Sequence, residues 1–133
     1  MHTYNTTVRL YDTDAAGLLF FGNHFRIAEA TYEEYLETHG INVGEILRQR
    51  KYIVPLVHSE ADYSEALGVG DKLTVEMYCD SISTTSFTLF FRFLKNGELP
   101  AATVKTVHVC LDAAKNEKMP IPDVLKKALE ALD

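Results

Sequence analysis

The feature that most restricts this chain is one long amphipathic helix set ahead of a run of strands. From about Asn23 to His39, Phe25, Ala28, Tyr32, Tyr35, Leu36 and His39 fall on one helical face, while Glu29, Glu33 and Glu37 follow at i,i+4 spacing on another. Asn23 suits an N-cap and Gly40 a C′ position. Ahead of the helix, Thr6 to Tyr11 alternates as a strand. A short second helix is expected within residues 41–53, ending in Arg48-Gln49-Arg50-Lys51. From Pro55 onward the pattern is β: Val57 to Ser64, Lys72 to Ile82, Ser86 to Leu94 and Ala101 to Asp112, with turns at Gly68–Asp71, Ser83–Thr85 and Asn96-Gly97. The apolar phase of the last strand shifts between Val104 and Val107, which predicts a bulge. Pro120 and Pro122 then lead into a closing helix with Val124, Leu125, Ala128, Leu129 and Leu132 on one face.

One helix cannot cover both faces of a sheet of about five strands. The arrangement that buries most apolar surface wraps a strongly twisted antiparallel sheet around the long central helix, an α+β fold. Edge strands and an outer sheet face remain, and a second copy of the chain would cover them. Phe90, on the second face of its strand, fits that cover or a satellite cluster under the last helix. With 133 residues, 47% hydrophobic and 24% charged, the expectation is one globular domain over 1–133, and disorder is excluded. The net charge of −6 argues against a nucleic-acid or anionic-membrane surface, which needs a basic footprint. It leaves room for a small anionic ligand in a local basic pocket. No apolar stretch approaches the ~20 residues of a membrane span, and Met1-His2-Thr3-Tyr4-Asn5 carries no signal-peptide pattern. Cys79 and Cys110 form no CxxC pair and read as free thiols of a reducing cytoplasm, the expected location. No His, Asp and Glu set has metal-ligand spacing, so no metal is expected.

The run Tyr11-Asp12-Thr13-Asp14-Ala15-Ala16-Gly17-Leu18-Leu19-Phe20-Phe21-Gly22-Asn23-His24-Phe25 carries the chemistry. Two carboxylates at i,i+2 stand just before a helix start, where unpaired N–H groups and the positive dipole end favour an anion. Gly17 permits a positive-φ turn or the close approach of a ligand. A carboxylate beside helix-start donors can supply a nucleophile or general base next to a carbonyl polariser, the kit for acyl transfer. The same residues also serve as a plain Asx turn and cap, and spacing alone leaves both readings open.

The Asp12-to-Phe21 run, followed by Asn23 and an amphipathic helix, resembles the hot-dog-fold acyl-CoA thioesterases of the 4-hydroxybenzoyl-CoA thioesterase type, and the resemblance spans the whole chain. It implies that Asp14 is the catalytic carboxylate, attacking the thioester carbonyl or activating water. It implies that the backbone N–H of Phe21, seven residues on, polarises the thioester oxygen, and that Gly17 shapes the loop. The family often has Tyr or His at the position of Phe21; a backbone donor survives that change. Asp12 then shapes the turn or the local field. The resemblance also implies a dimer or tetramer, with a subunit interface as one wall of the site, and no cofactor, since coenzyme A is part of the substrate.

A narrower likeness lies in Pro55-Leu56-Val57-His58-Ser59, Asp62-Tyr63, Gly70-Asp71-Lys72-Leu73 and His108-Val109-Cys110, which look like the branch that hydrolyses 1,4-dihydroxy-2-naphthoyl-CoA for phylloquinone and menaquinone synthesis. The implied substrate is that thioester or 4-hydroxybenzoyl-CoA. Phe20 and Tyr63 would suit an aromatic acyl group, and His58 would hydrogen-bond its hydroxyl or carbonyl or else be structural. Ser83, Thr84 and Thr85 resemble a region that contacts coenzyme A, and Arg48, Arg50 and Lys51 form the densest basic patch for its phosphates. His24 is expected to face solvent, with the site mouth as its alternative, and the helix glutamates to form a solvated face. The competing functions are a short-chain aliphatic acyl-CoA thioesterase and a non-catalytic acyl-CoA-binding protein; a carboxylate at the helix mouth argues against the second.

Overall fold

The structure, a computed structural model, describes residues 1–132. Five strands, β1 (His2–Thr7), β3 (Leu56–Tyr63), β4 (Lys72–Ile82), β5 (Ser86–Lys95) and β6 (Leu99–Val109), form an antiparallel sheet in the order β1-β4-β5-β6-β3. The two-residue strands β2 (Tyr52–Ile53) and β7 (Leu111–Asp112) pair apart from it. The helices are α1 (Asn23–Thr38), α2 (Val43–Gln49) and α3 (Asp123–Glu130). The chain therefore has three helices, the longest of 16 residues, in place of one long central helix, and α1 and α3 supply the residues buried against the sheet.

Alternation in β4, β5 and β6 sends one apolar row to a single face. Val75 pairs with Phe93, Met77 with Phe91, and Phe91 with Val104, so the large side chains line up across the strands. Against them α1 lays Ile27, Ala28, Tyr32 and Leu36, and α3 adds Leu125, Ala128 and Leu129, all buried. Each fully buried Phe or Leu contributes about 1.5–3 kcal/mol. The Tyr35 hydroxyl donates to the Ala128 carbonyl and ties α1 to α3. Asn96 and Gly97 have φ of 54° and 77°, two successive positive values that suit a tight hairpin between β5 and β6. Gly40, at φ 72°, follows the end of α1 as expected.

Three local expectations change. The first strand runs His2–Thr7, because the chain leaves the sheet at Val8 and turns through a 3-10 helix at Leu10–Asp12, exposing Leu10 and Tyr11. Asn23 begins α1 but does not cap it; Gly22 is the N-cap, and the Asn23 side chain donates instead to the Asp12 carbonyl at 2.7 Å. β6 has no bulge between Val104 and Val107, where its register with β5 is continuous. The apolar phase shifts there because Thr106 and His108 occupy core positions, which turns Val107 and Val109 to the other face. The nearby irregularity lies on β3, between Leu56 and His58. Cys79 and Cys110 are both free thiols.

Candidate active site

Between the 3-10 helix and α1 the chain makes a closed loop whose hydrogen bonds aim Asp14 outward. Thr13 bridges to Leu19 and Leu18 to Gly68, the Asp14 N–H donates to the Leu18 carbonyl at 2.9 Å, and the Gly17 N–H donates to the Asp14 carbonyl at 3.0 Å. Gly17 sits at φ 76°, and an added Cβ there would meet nothing within 4 Å; backbone conformation, not space, calls for glycine. The Asp14 side chain accepts on Oδ1 from the N–H groups of Ala16 (2.8 Å) and Leu18 (3.3 Å), which makes it an Asx turn. Among the described residues its Oδ2 accepts no hydrogen bond. The two readings left open by the spacing are thus joined in one side chain: one oxygen holds the loop and the other is free.

Asp12 points the other way. It is 5% exposed, its Oδ1 pairs with Arg26 at 2.6 Å, and its Oδ2 accepts from the Arg9 N–H at 2.9 Å. Its carbonyl accepts from the Phe20 N–H at 3.0 Å as well as from Asn23. Asp12 therefore pins both ends of the loop to the start of α1, the turn-shaping role expected of it.

Asp14 opens onto a cleft of about 390 Å³ lined by Leu18, Leu19, Phe21, His24, Tyr63 and the segment from Ser64 to Leu67. The Phe21 N–H, one residue ahead of the Gly22 N-cap, donates to no acceptor among the described residues. The Phe21 carbonyl, in contrast, is held twice, by the Tyr63 hydroxyl at 3.0 Å and by His24 Nδ1 at 3.1 Å. Tyr63 is half-exposed and its ring meets His24 edge-on at 4.7 Å. The arrangement sets a free carboxylate oxygen and an open backbone donor on the rim of one cleft, which can attack or hydrate a carbonyl and stabilise its oxyanion.

The structure brings Asp14, Gly17, Phe21 and Tyr63 together and leaves the other expected residues elsewhere. Phe20 meets the Phe21 ring at a tilt, 4.6 Å between centroids, but is half-exposed and outside the cleft lining. His58 lies on the outer face of edge strand β3, paired with Glu60 at 3.2 Å. Ser83, Thr84 and Thr85 form the β4–β5 turn beside α3, at the end of the sheet away from Asp14, since β5 runs ten residues between that turn and the Asn96-Gly97 hairpin. Arg48 is engaged by Glu45 at 2.6 Å, and the basic patch follows the far end of α1. Glu29 is exposed, as expected of a solvated face, yet it also borders an apolar cavity under α2, where partial burial, with Glu33 nearby, raises its carboxyl above the usual range.

His24 is the residue that sequence reasoning misplaced. It is 5% exposed and packs between Tyr63 and Phe93. Burial lowers its pKa, partly offset by the carbonyls of Phe21 and Phe20, which favours a neutral ring. The available signal was its place one residue into α1, three positions beyond Phe21, where a side chain folds back over the helix start.

A five-stranded antiparallel sheet faced by helices, with this loop at the mouth of the first helix, defines a thioesterase of the hot-dog class. Residues 8–129 match the model of the thioesterase-like superfamily, and the chain belongs to that superfamily. A 1,4-dihydroxy-2-naphthoyl-CoA hydrolase of Nostoc punctiforme is 36% identical over 128 residues, covering 96% of this chain and 86% of that protein. One from Prochlorococcus marinus (strain NATL1A) is 40% identical over 121 residues, covering 86% and 80%. The crystal structure of a 1,4-dihydroxy-2-naphthoyl-CoA thioesterase from Synechocystis aligns with a TM-score of 0.94 at 27% identity, covering 99% of this chain and 97% of that one.

Proposed function

We propose that the protein hydrolyses the thioester of an aromatic acyl-CoA, with 1,4-dihydroxy-2-naphthoyl-CoA as the first candidate and 4-hydroxybenzoyl-CoA as the second. The observation that carries this reading is the free Oδ2 of Asp14 on the same cleft as the open Phe21 N–H. The relatives named above, which act on 1,4-dihydroxy-2-naphthoyl-CoA, support the choice of acyl group.

In this mechanism the Phe21 N–H donates to the thioester oxygen as it gains charge. Asp14 either adds to the carbonyl carbon, expelling the coenzyme A thiolate and leaving an anhydride for water to cleave, or takes the proton of a water that adds there. Gly17 keeps the loop open for the acyl group, and Tyr63 forms a wall of the cleft. No cofactor is required, because coenzyme A arrives on the substrate. Two unpaired thiols agree with a reducing cytoplasm as the place of action.

The acting species is a homo-oligomer, at least a dimer. The cleft is open, Phe20, Phe21, Leu56, Val57 and Tyr63 are 45–63% exposed, and β3 is an unpaired sheet edge. Antiparallel pairing of β3 with the same strand of a second copy would set the Leu56 end of one beside the Tyr63 end of the other. That would bring the partner's His58, and the turn of the partner's Ser83, Thr84 and Thr85, toward Asp14, where coenzyme A and the acyl ring must lie. Phe20 would then meet the second copy.

A panel of acyl-CoAs assayed by release of free thiol tests the reading. Aromatic esters are expected to turn over at least tenfold faster in kcat/KM than acetyl- or butyryl-CoA. Preference for the aliphatic esters would favour the short-chain thioesterase, and binding with no thiol release would favour the non-catalytic acyl-CoA-binding protein.

A further inference from the structure

The imidazole of His24 is fixed in one tautomer by its surroundings. Its Nδ1 lies 3.1 Å from the Phe21 carbonyl oxygen, which can only accept, so Nδ1 carries the proton. A neutral imidazole with Nδ1–H presents a bare lone pair on Nε2. That nitrogen has no hydrogen-bond partner among the described residues, yet it is not among the buried polar atoms left unsatisfied, so it keeps an opening. The opening is the cleft, since His24 is one of its lining residues together with Asp14 and Phe21. The rings of Tyr63 and Phe93, at 4.7 and 5.5 Å, hold the imidazole in place.

We propose that His24 determines acyl specificity: its Nε2 accepts a hydrogen bond from a ring hydroxyl of the aromatic acyl group seated against Asp14. The alternative, a base that carries a proton during hydrolysis, suits the site less well. A proton carrier needs a partner that stabilises the imidazolium, as a carboxylate on Nδ1 would. Here Nδ1 meets a neutral carbonyl, and burial opposes the charge. A fixed acceptor in an apolar wall discriminates well between hydroxylated and bare rings, because the lone pair goes unmatched when the hydroxyl is missing. The cleft supplies such a wall in Leu18, Leu19 and Leu67.

This inference rests on the aromatic thioesterase reading, and the test separates the two. Wild-type protein is first compared on 1,4-dihydroxy-2-naphthoyl-CoA and 2-naphthoyl-CoA by release of free thiol. The expected ratio of kcat/KM is about tenfold or more in favour of the hydroxylated ester. Two variants follow, checked by thermal melting. His24→Asn keeps a donor near the Phe21 carbonyl but lacks an atom at the Nε2 position, and it is expected to lose most of that ratio. His24→Gln, whose amide reaches the Nε2 position, is expected to retain a larger share of the ratio. Equal turnover of the two esters by the wild type overturns the proposal with no variant needed. A His24→Asn variant that slows both esters alike, or matches His24→Gln in its ratio, also overturns it, showing His24 to be a support for the loop. Failure of the wild type to cleave either ester would overturn the aromatic thioesterase reading itself.

Discussion

At the residue scale, the two aspartates of one motif do opposite work because their neighbours differ. Asp12 is buried against Arg26 and the Arg9 N–H, whereas Asp14 spends one oxygen on its own loop and leaves the other open. Removing Arg26 would strand a buried carboxylate. Because the guanidinium is itself about half-exposed, the expected loss for Arg26→Ala is about 1–2 kcal/mol rather than the full penalty of a buried pair, read as a lower urea midpoint, with slower turnover as the loop loosens. His108 sets a second prediction. It is buried on the core face, stacked on Phe87 at 4.9 Å and bonded to Thr106 at 3.0 Å, and desolvation lowers its pKa to about 4. The unfolded chain, whose histidine titrates near its ordinary value of 6.5, takes up a proton first as the pH falls. Stability is therefore full above about pH 6.5 and declines as the pH falls toward 4. By pH 4.5 this group alone removes roughly 2–3 kcal/mol. Urea unfolding at pH 7 and 4.5 should show a smaller decline in His108→Asn than in the wild type; equal declines would refute the assignment.

At the scale of elements, the pattern of the sequence was most informative where side chains obeyed one rule at a time. β4 and β5 alternate cleanly, and the observed bounds Lys72–Ile82 and Ser86–Lys95 match or nearly match the reading. β6 misled because Thr106 and His108 are polar residues in core positions, which the alternation rule counts as surface. The first strand misled because Val8 and Leu10 keep an alternating rhythm after the backbone has left the sheet. Asp14, Gly17 and Phe21 were legible because a local loop and the helix start bring them together. His58 and the Ser83–Thr85 turn were not placed, because their positions relative to Asp14 depend on long-range packing that spacing along one chain does not encode. His24 was misread for a related reason: its burial comes from Tyr63 and Phe93, distant in sequence. At α3, Leu129 is fully buried and anchors the helix to the sheet face. Leu129→Ala is expected to cost about 2–5 kcal/mol, measured by chemical denaturation, with the spread set by how far α3 settles into the space.

At the scale of the whole molecule, the sheet has two edges and an outer face that its own helices do not reach. Leu18, Phe21 and Tyr63 at the cleft and Leu56 and Val57 on β3 are exposed, so the proposed assembly would tie activity to oligomeric state. Sedimentation velocity should show a dimer or larger species at micromolar concentration. A Val57→Lys change on β3 should shift it toward monomer and lower activity in step; a fully active monomer would disconnect the cleft from assembly. Arg26 and Arg48 are paired with Asp12 and Glu45, whereas Arg50 and Lys51 of the basic patch make no ion pair among the described residues. The central claim is that the free oxygen of Asp14 performs the chemistry, and the replacement Asp14→Asn tests it most directly. It removes the charge while keeping an oxygen for the Ala16 and Leu18 N–H groups. Steady-state hydrolysis of 1,4-dihydroxy-2-naphthoyl-CoA by Asp14→Asn should fall in kcat by about a thousandfold, with KM and the melting temperature near wild type. Turnover within a few-fold of wild type would contradict the account.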